Sequence, residues 1–356
     1  MGHVDHASSR SGLDDAELRR WLLANEPLLT GFAGASVLIT GATGWFGVWL
    51  LDLLCMADDA FDLGIRIVAV SRDPSRFLDR FRGFVEERRV TWIKADVRNL
   101  PSRAAGFSHI IHAAADTGTT AEPDALLQLF ETIVDGTRRV IGAAGAECKG
   151  LLLLSSGAIY GPARSDMMRF IESEPAGPDP ASARNAYAEG KRAAEQLGAI
   201  AASRGVPVRI ARCFAFVGPH MPFNKHFAIG NFIADAVLGR QIRIKGDGRP
   251  QRSYLYMTDL MRALLVILSR GAVGTAYNVG SEVIVTIEQL AHCVDRVVGG
   301  RGVVIEGAKA DPVDRYVPDT TRLRAVLGCD PEVPLEAAIS RTAAWYRAQM
   351  SRPMPS

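Results

Sequence analysis

The most constraining stretch of this chain is a glycine turn between two apolar segments. Ser36-Val37-Leu38-Ile39-Thr40 is a short apolar run that ends in Gly41-Ala42-Thr43-Gly44-Trp45-Phe46-Gly47, and apolar residues recur at helical spacing from Trp45 to Met56. A strand followed by such a turn and then a helix is the setting in which glycines bind a dinucleotide. Glycine tolerates a left-handed backbone and lets a pyrophosphate approach the main chain. The helix start offers unpaired N–H groups at the positive end of its dipole. The spacing is GxxGxxG rather than GxGxxG, so its position after the first strand carries the reading. Gly41, Thr43, Gly44, Trp45, Phe46 and Gly47 are the expected contacts.

Five further strand-like runs follow, at Ile65–Val70, Val90–Lys94, His109–Ala113, Leu151–Ser155 and Val208–Phe214. Helical patterns separate most of them, notably Ala125–Ala144 and Tyr187–Ser203. Largely apolar strands alternating with helices predict a parallel sheet covered on both faces. The expected fold is therefore α/β, a Rossmann doubly wound parallel sheet, with ligands at the carboxyl ends of its strands. After Val217 glycine and proline cluster, with strand signals at Gln241–Lys245 and Tyr277–Val279 and helices at Ile229–Leu238, Thr258–Ser269 and Ile287–Val298. This predicts a smaller C-terminal α/β substrate lobe over 216–350, able to cross back into a Rossmann domain over 31–215. Residues 1–30 read as a helical extension. Its first twelve residues are small and polar and are expected to be mobile. Leu13–Thr30 is expected to be a helix opened by Asp14 and Glu17 in a capping box.

Composition excludes several classes. Lysine and arginine number 41 against 39 aspartates and glutamates, a balance of +2, too even for binding nucleic acid by bulk charge. The longest apolar runs fall far short of the roughly 18 to 20 residues of a membrane span, and no apolar h-region opens the chain. The five cysteines are scattered, with no CxxC pair and no His pair at i,i+4, so neither a disulfide framework nor a metal site is expected. A cytoplasmic enzyme is the expectation.

Cofactor choice is read at the strand tips. Val70-Ser71-Arg72-Asp73 ends the second strand, where NAD enzymes place a carboxylate on the ribose hydroxyls. Here Arg72, with Arg76, can pair with a 2′-phosphate, which favours NADP over NAD; Ser71 lies beside it. The other reading lays Arg72 over adenine and leaves Asp73 to cap the helix beginning at Pro74. Asp96 and Val97, after the third strand, sit where the adenine amino group can be bound.

Tyr187-Ala188-Glu189-Gly190-Lys191 sets a phenol and an ammonium one helical turn apart. A tyrosine hydroxyl near pKa 10 is a poor base at neutral pH, but a nearby ammonium stabilises phenolate and makes it usable. Ser156 follows the fifth strand, at the same sheet edge as the glycine turn, where its hydroxyl can bond a substrate oxygen. Ser156, Tyr187 and Lys191 together suit hydride transfer to or from a nicotinamide.

The segments TGATGWFG, HAAA (112–115), SSGAIYG (155–161), YAEGK and RSYLYMTDL (252–260) resemble the extended short-chain dehydrogenase/reductase superfamily, and more narrowly its nucleotide-sugar epimerase/dehydratase branch. The resemblance runs from about Ala35 to Tyr346. It implies Ser156, Tyr187 and Lys191 as the catalytic triad, with Tyr187 and Lys191 also holding the cofactor beside Ala113, Ala114 and Ala115. It implies Thr117, Ser156, Asn224, Asn231 and Arg252 as substrate contacts, Arg252 on the diphosphate, and a homodimer formed through helices. Lys225 and His226 fall in the same stretch as Asn224.

The departures narrow the chemistry. Dehydratases of this branch have an Asp-Glu pair after the catalytic hydroxyl, and decarboxylases usually a Glu; here Gly157 and Ala158 stand there and transfer no proton. Ile133 replaces the Asn of the NVxGT motif, and Phe216 precedes the Val217-Gly218-Pro219 turn. The expected activity is 4-epimerisation of a nucleotide-diphosphate sugar through a 4-keto intermediate. An NADPH-dependent 4-keto-sugar reductase is the alternative. A non-catalytic NAD(P)-binding redox sensor is a third reading, from another class.

Overall fold

The computed structural model describes residues 4–100, 106–115, 122–175, 177–223, 227–309 and 311–350. The expected substrate contacts Thr117 and Asn224, with Lys225 and His226, lie outside the described residues. The chain divides into two compact units: Met1–Ile159, Pro178–Arg212 and Met261–Tyr277 form the first, and Tyr160–Gly177, Cys213–Leu260 and Asn278–Ser356 the second.

The first unit opens with helices α1 (Asp15–Ala24) and α2 (Glu26–Leu29), then alternates β1 (Ser36–Thr40), α3 (Trp45–Phe61), β2 (Arg66–Ser71), α4 (Pro74–Arg80), β3 (Val90–Lys94), β4 (His109–His112), α5 (Pro123–Gly142), β5 (Gly150–Ser156), α6 (Ala186–Ser203) and β6 (Val208–Cys213). With Ala276–Val279 on one edge, the sheet order is Ala276–Val279, β6, β5, β4, β1, β2, β3. The register is parallel from β5 through β3. This is the expected doubly wound sheet, and its order reverses between β1 and β4. There Thr40 lies opposite both Val70 and His112, so the turn after β1 opens between the tips of β2 and β4. That crevice is where such sheets bind ligands.

The strands carry apolar residues on both sides because helices cover both. Leu38, Ile110, Leu151, Leu153, Val208 and Ile210 pack with Ile133, Val140 and Ala194 in one buried cluster. Burying each large aliphatic side chain contributes about 1.5–3 kcal/mol. Small residues let α6 lie close: a Cβ at Gly190 would stand 3.3 Å from Ile133, and one at Gly198 would stand 3.2 Å from Val208.

Two expectations for the N-terminal segment need correction. Residues 4–12 are packed, not mobile: Val4–His6 form a 3₁₀ turn and Ala7 is fully buried. The reason is Asp52, a carboxylate buried within α3. Burial without donors would be costly, and the small polar strap supplies them. Ser9 Oγ and the Arg10 N–H each donate at 2.6 Å, the Ser11 N–H donates at 3.2 Å, and the Ser11 hydroxyl donates as well. Arg10 adds ion pairs to Asp59 and Glu87. The Leu13–Thr30 helix is interrupted. Asp14 caps α1 by accepting from the Glu17 N–H at 3.0 Å, but Pro27 cannot extend a helix backwards, and α2 starts anew after Asn25.

The second unit contains the helices Ala228–Val237, Ile287–Val298 and Leu335–Met350, and a parallel pair, Ile242–Ile244 with Val303–Ile305. Its centre is polar at one point. The buried Asn278 amide accepts from the Tyr160 hydroxyl at 2.7 Å and donates to the carbonyls of Phe170 and Asp319. Among the described residues, no helix is long and apolar enough to cross a membrane.

Candidate active site

The first unit holds a cleft at the sheet's switch point. It is lined by Gly41, Thr43, Gly44, Ser71, Arg72, Asp96, Val97, Ala113, Ala114 and Ala115, all expected from sequence, and also by Val70, Ala95 and Thr132. Gly41 has φ +71°, and a Cβ there would lie 2.7 Å from the Ala113 backbone, so the close approach requires glycine. Gly44 is the N-cap of α3 and brings no side-chain acceptor. The start of α3 is thus not capped by a side chain at its N-cap position. Trp45, Phe46 and Gly47 form the first turn of α3 and lie outside the cleft lining. Gly47 packs that turn onto the loop, since a Cβ there would come within 2.3 Å of the Ala42 carbonyl oxygen.

At the β2 tip the Ser71 hydroxyl shares a hydrogen bond with Thr43 at 3.0 Å. Asp73 accepts from the Ser75 hydroxyl and from the Arg76 N–H as the cap of α4. The Ser75 hydrogen bond, above all, lowers its pKa. The one carboxylate at this tip is thus committed to its helix, and exposed Arg72 lines the cleft instead. Asp96 is occupied likewise. Its oxygens accept from Arg98 at the main chain, Nε and Nη2, and the Arg98 side-chain bond is the main reason its pKa is lowered.

Behind the cleft runs a directed chain of hydrogen bonds. Thr137 gives its only hydroxyl proton to the Ile133 carbonyl at 2.6 Å, so it must accept from His112 Nε2, 3.1 Å away. His112 Nδ1 then accepts from the Thr40 hydroxyl at 2.7 Å, and Thr40 Oγ1 receives the Ala114 N–H at 3.3 Å. The imidazole is neutral: burial, helped by the charge of Lys191, pushes its pKa down to about 3.

The proton-transfer set lies on β5 and α6, both in the first unit. Ser156 ends β5, buried, and its Oγ accepts from the Ala158 N–H at 3.1 Å. Tyr187 and Lys191 share one face of α6, with the Lys191 Nζ 5.9 Å from the Tyr187 ring centroid. That ammonium is buried and donates to the Leu154 carbonyl at 2.7 Å, which carries it to the end of β5 two residues from Ser156. The short turn after Ser156, Gly157–Tyr160, has no ionisable side chain except the Tyr160 phenol, already bonded to Asn278.

Of the expected substrate contacts in the second unit, Asn231 sits half-buried on Ala228–Val237. Arg252 is tethered, pairing with the Asp314 carboxylate at 2.5 Å and donating to the Gln251 carbonyl at 2.8 Å. Sequence reading missed Thr132, whose position beside Ile133 on α5 carried no chemical signal. It also missed Glu195, for which the signal existed: it continues the Tyr187, Lys191 spacing by another four residues.

The description "NAD dependent epimerase/dehydratase family" matches residues 37–280, more than half of the chain. The chain belongs to this family. UDP-glucuronic acid decarboxylase 1 of Xenopus tropicalis is 28% identical over 323 residues, covering 88% of this chain and 72% of the relative. Two solved structures share the fold. The UDP-N-acetylglucosamine 4-epimerase of Methanobrevibacter ruminantium has TM-score 0.76 and 21% identity, covering 89% of this chain and 99% of its own. DesIV, the dTDP-glucose 4,6-dehydratase of Streptomyces venezuelae, has TM-score 0.74 and 24% identity, covering 88% and 97%. As a family member the protein thus joins the group that the TGATGWFG and YAEGK segments resemble.

Proposed function

We propose that the protein is an NAD(P)-dependent enzyme acting on a nucleotide-diphosphate sugar, and that its reaction is 4-epimerisation. The names of the similar proteins support the substrate class, since they act on UDP- and dTDP-sugars. The turn after Ser156 carries the choice of reaction. Loss of water needs acid/base groups beyond the triad, and decarboxylases of this branch usually carry a Glu after the catalytic hydroxyl. Gly157 and Ala158 supply none, whereas oxidation and re-reduction of one carbinol need only a hydroxyl, a phenol and an amine.

The cleft fits a dinucleotide. The glycine turn at Gly41 and Gly44, packed against the Ala113 main chain at the switch point, and the row Ala113–Ala115 in the cleft lining support a pyrophosphate and ribose site. Bound NAD(P) supplies the hydride acceptor and donor. Tyr187 takes the C4 hydroxyl proton and later returns it, Lys191 stabilises the phenolate, and Ser156 hydrogen-bonds the reacting oxygen. Arg252 is the candidate diphosphate contact, with its guanidinium paired to Asp314. A homodimer is the assembly we infer.

A second reading, an NADPH-dependent 4-keto-sugar reductase, draws support from Arg72 in the cleft lining and from Asp73 being committed to α4. One experiment separates the readings: incubation with UDP-, GDP-, CDP- and dTDP-sugars, with and without NADPH, followed by mass and NMR analysis. Epimerisation leaves mass unchanged and consumes no NADPH. Reduction adds two hydrogens and consumes it stoichiometrically. Loss of water or carbon dioxide from any sugar would overturn both. Tyr187→Phe is expected to lower turnover by roughly 10²-fold or more while dinucleotide binding stays near wild type. Unchanged turnover would remove Tyr187 from the proton transfer, whereas no turnover of any sugar by the wild type, with dinucleotide binding intact, would return the protein to the class of binding modules.

A further inference from the structure

Glu195 plays no part in the proposed proton transfer, yet its contacts are specific. It lies on α6 four residues past Lys191 and eight past Tyr187, so the three follow one stripe of the helix. Its Oε1 accepts from the Ser155 hydroxyl at 2.5 Å. Both of its oxygens are gripped by the Arg212 guanidinium, with Nε at 3.1 and 3.2 Å and Nη2 at 2.8 Å. The two charged side chains are 12% and 14% accessible. Ser155 is the residue before Ser156, and Arg212 lies on β6, the strand next to β5. One carboxylate therefore joins α6 to two adjacent strands at the level of the catalytic serine. Arg192 adds a third tie from α6, donating to the Ile159 carbonyl at 3.1 Å.

We propose that Glu195, with Arg212 and Ser155, is a positioning group for Tyr187. The clasp sets the rotation and height of α6 against β5, and so fixes where the phenol stands relative to Ser156. This inference rests on the proposed role of Tyr187. The chemistry favours it over simple stabilisation. A well-packed apolar pair would hold the helix at least as firmly as a buried ion pair. An apolar contact does not select one rotation, whereas a planar guanidinium fork and a serine hydroxyl on one carboxylate do. The Lys191 bond to Leu154 lies one turn from the clasp on the same stripe, so a change of phase moves both catalytic side chains of α6 together.

The test is a double-mutant cycle on the full-length protein. The probes are UDP-glucose, UDP-galactose, UDP-glucuronic acid and dTDP-glucose for turnover, and NADH fluorescence for dinucleotide binding. Glu195→Met with Arg212→Met removes both charges at once, so no unpaired ion is left buried. The pair is expected to lower kcat by about 10- to 10²-fold, the size of a misplaced reacting group. KM and the NADH Kd should stay within about twofold. Glu195→Gln keeps one acceptor oxygen but sets an amide NH2 against a donor of the clasp, so its kcat should fall between wild type and the methionine pair. In a Tyr187→Phe background the methionine pair should cost less than about twofold more, because it acts through that phenol.

Unchanged kcat in the methionine pair would overturn the proposal. So would a loss shared by kcat, KM and NADH binding, or a full multiplicative loss in the Tyr187→Phe background. If the methionine pair fails to fold, Ser155→Ala and Arg212→Lys carry the same cycle, each cutting one arm. Full activity in Tyr187→Phe alone would overturn the underlying reading, as would a wild type inert towards all four sugars. Those results are distinct from an intact Tyr187 effect without a Glu195 effect, which sinks only the clasp.

Discussion

Lys191 donates from α6 to the carbonyl of Leu154, 2.7 Å away, and that bond holds its ammonium at the end of β5. A buried cation so held cannot swing out to solvent, and its charge stays beside the Tyr187 ring.

Replacing it tests the arrangement. Lys191→Met should lower kcat by about 10²-fold or more, as expected for lost help in proton transfer. Lys191→Arg should not restore the rate, because a planar guanidinium does not reproduce a compact ammonium aimed at one carbonyl. Steady-state kinetics on the accepted nucleotide sugar checks both.

Gly41→Ala should abolish dinucleotide binding, for two separate reasons. The backbone there is left-handed, and the new methyl group would lie 2.7 Å from the main chain of Ala113. Gly142→Ala, at the end of α5 with nothing within 4 Å, is the matched control. It should leave binding intact and shift stability by no more than about 0.5–1 kcal/mol, in the stabilising direction. NADH fluorescence titration and thermal melts distinguish them.

The proposed role of Arg72 in dinucleotide choice is tested by mutation. Arg72→Ala should weaken NADPH binding by about tenfold or more, the worth of one charge-assisted hydrogen bond, with NADH affected less than about twofold. Equal losses for the two would show that Arg72 packs on adenine instead of reading the 2′-phosphate. Parallel titrations with both nucleotides give the ratio.

Acid should loosen the protein through His112. Its folded pKa is about 3, whereas an unfolded histidine titrates near 6.5. Between those values only the unfolded chain takes up the proton. The full stability is therefore present above about pH 6.5 and falls as pH drops towards 3. At pH 5 the loss from this one group is about 2 kcal/mol, from roughly 1.5 units at about 1.4 kcal/mol each. His109, whose pKa is lowered to about 4 mainly by burial, acts in the same direction. Melting temperature against pH should slope downward below 6.5 in the wild type. His112→Asn should be less stable at neutral pH but should show a shallower slope. An unchanged slope would remove His112 from the account.

Much of the fold was legible because apolar runs report the sheet directly. The runs at Ser36–Thr40 and Val90–Lys94 became strands with those same limits, and Ile287–Val298 a helix. The glycine turn was legible for a similar reason, since few other arrangements use glycines there. Polar residues were harder. The strap over residues 4–12 looked like a loose tail because its partner, Asp52, is more than forty residues away and sits in a stretch that reads as plain apolar helix. Asp96 looked available, but the arginine two residues later occupies it. Glu195 followed the Tyr187 spacing, yet nothing local showed that Ser155 and Arg212 would meet it. A side chain's role depends on what faces it in space, and spacing along the chain shows only neighbours on the same element.

The strap on Asp52 bears on how the protein tolerates handling at its leading end. Trimming residues 4–13 would strip the donors from a carboxylate seated in α3, the helix that follows the glycine turn. A cut made far from any reacting atom would thus be felt as weakened coenzyme retention, transmitted along the barrel of α3.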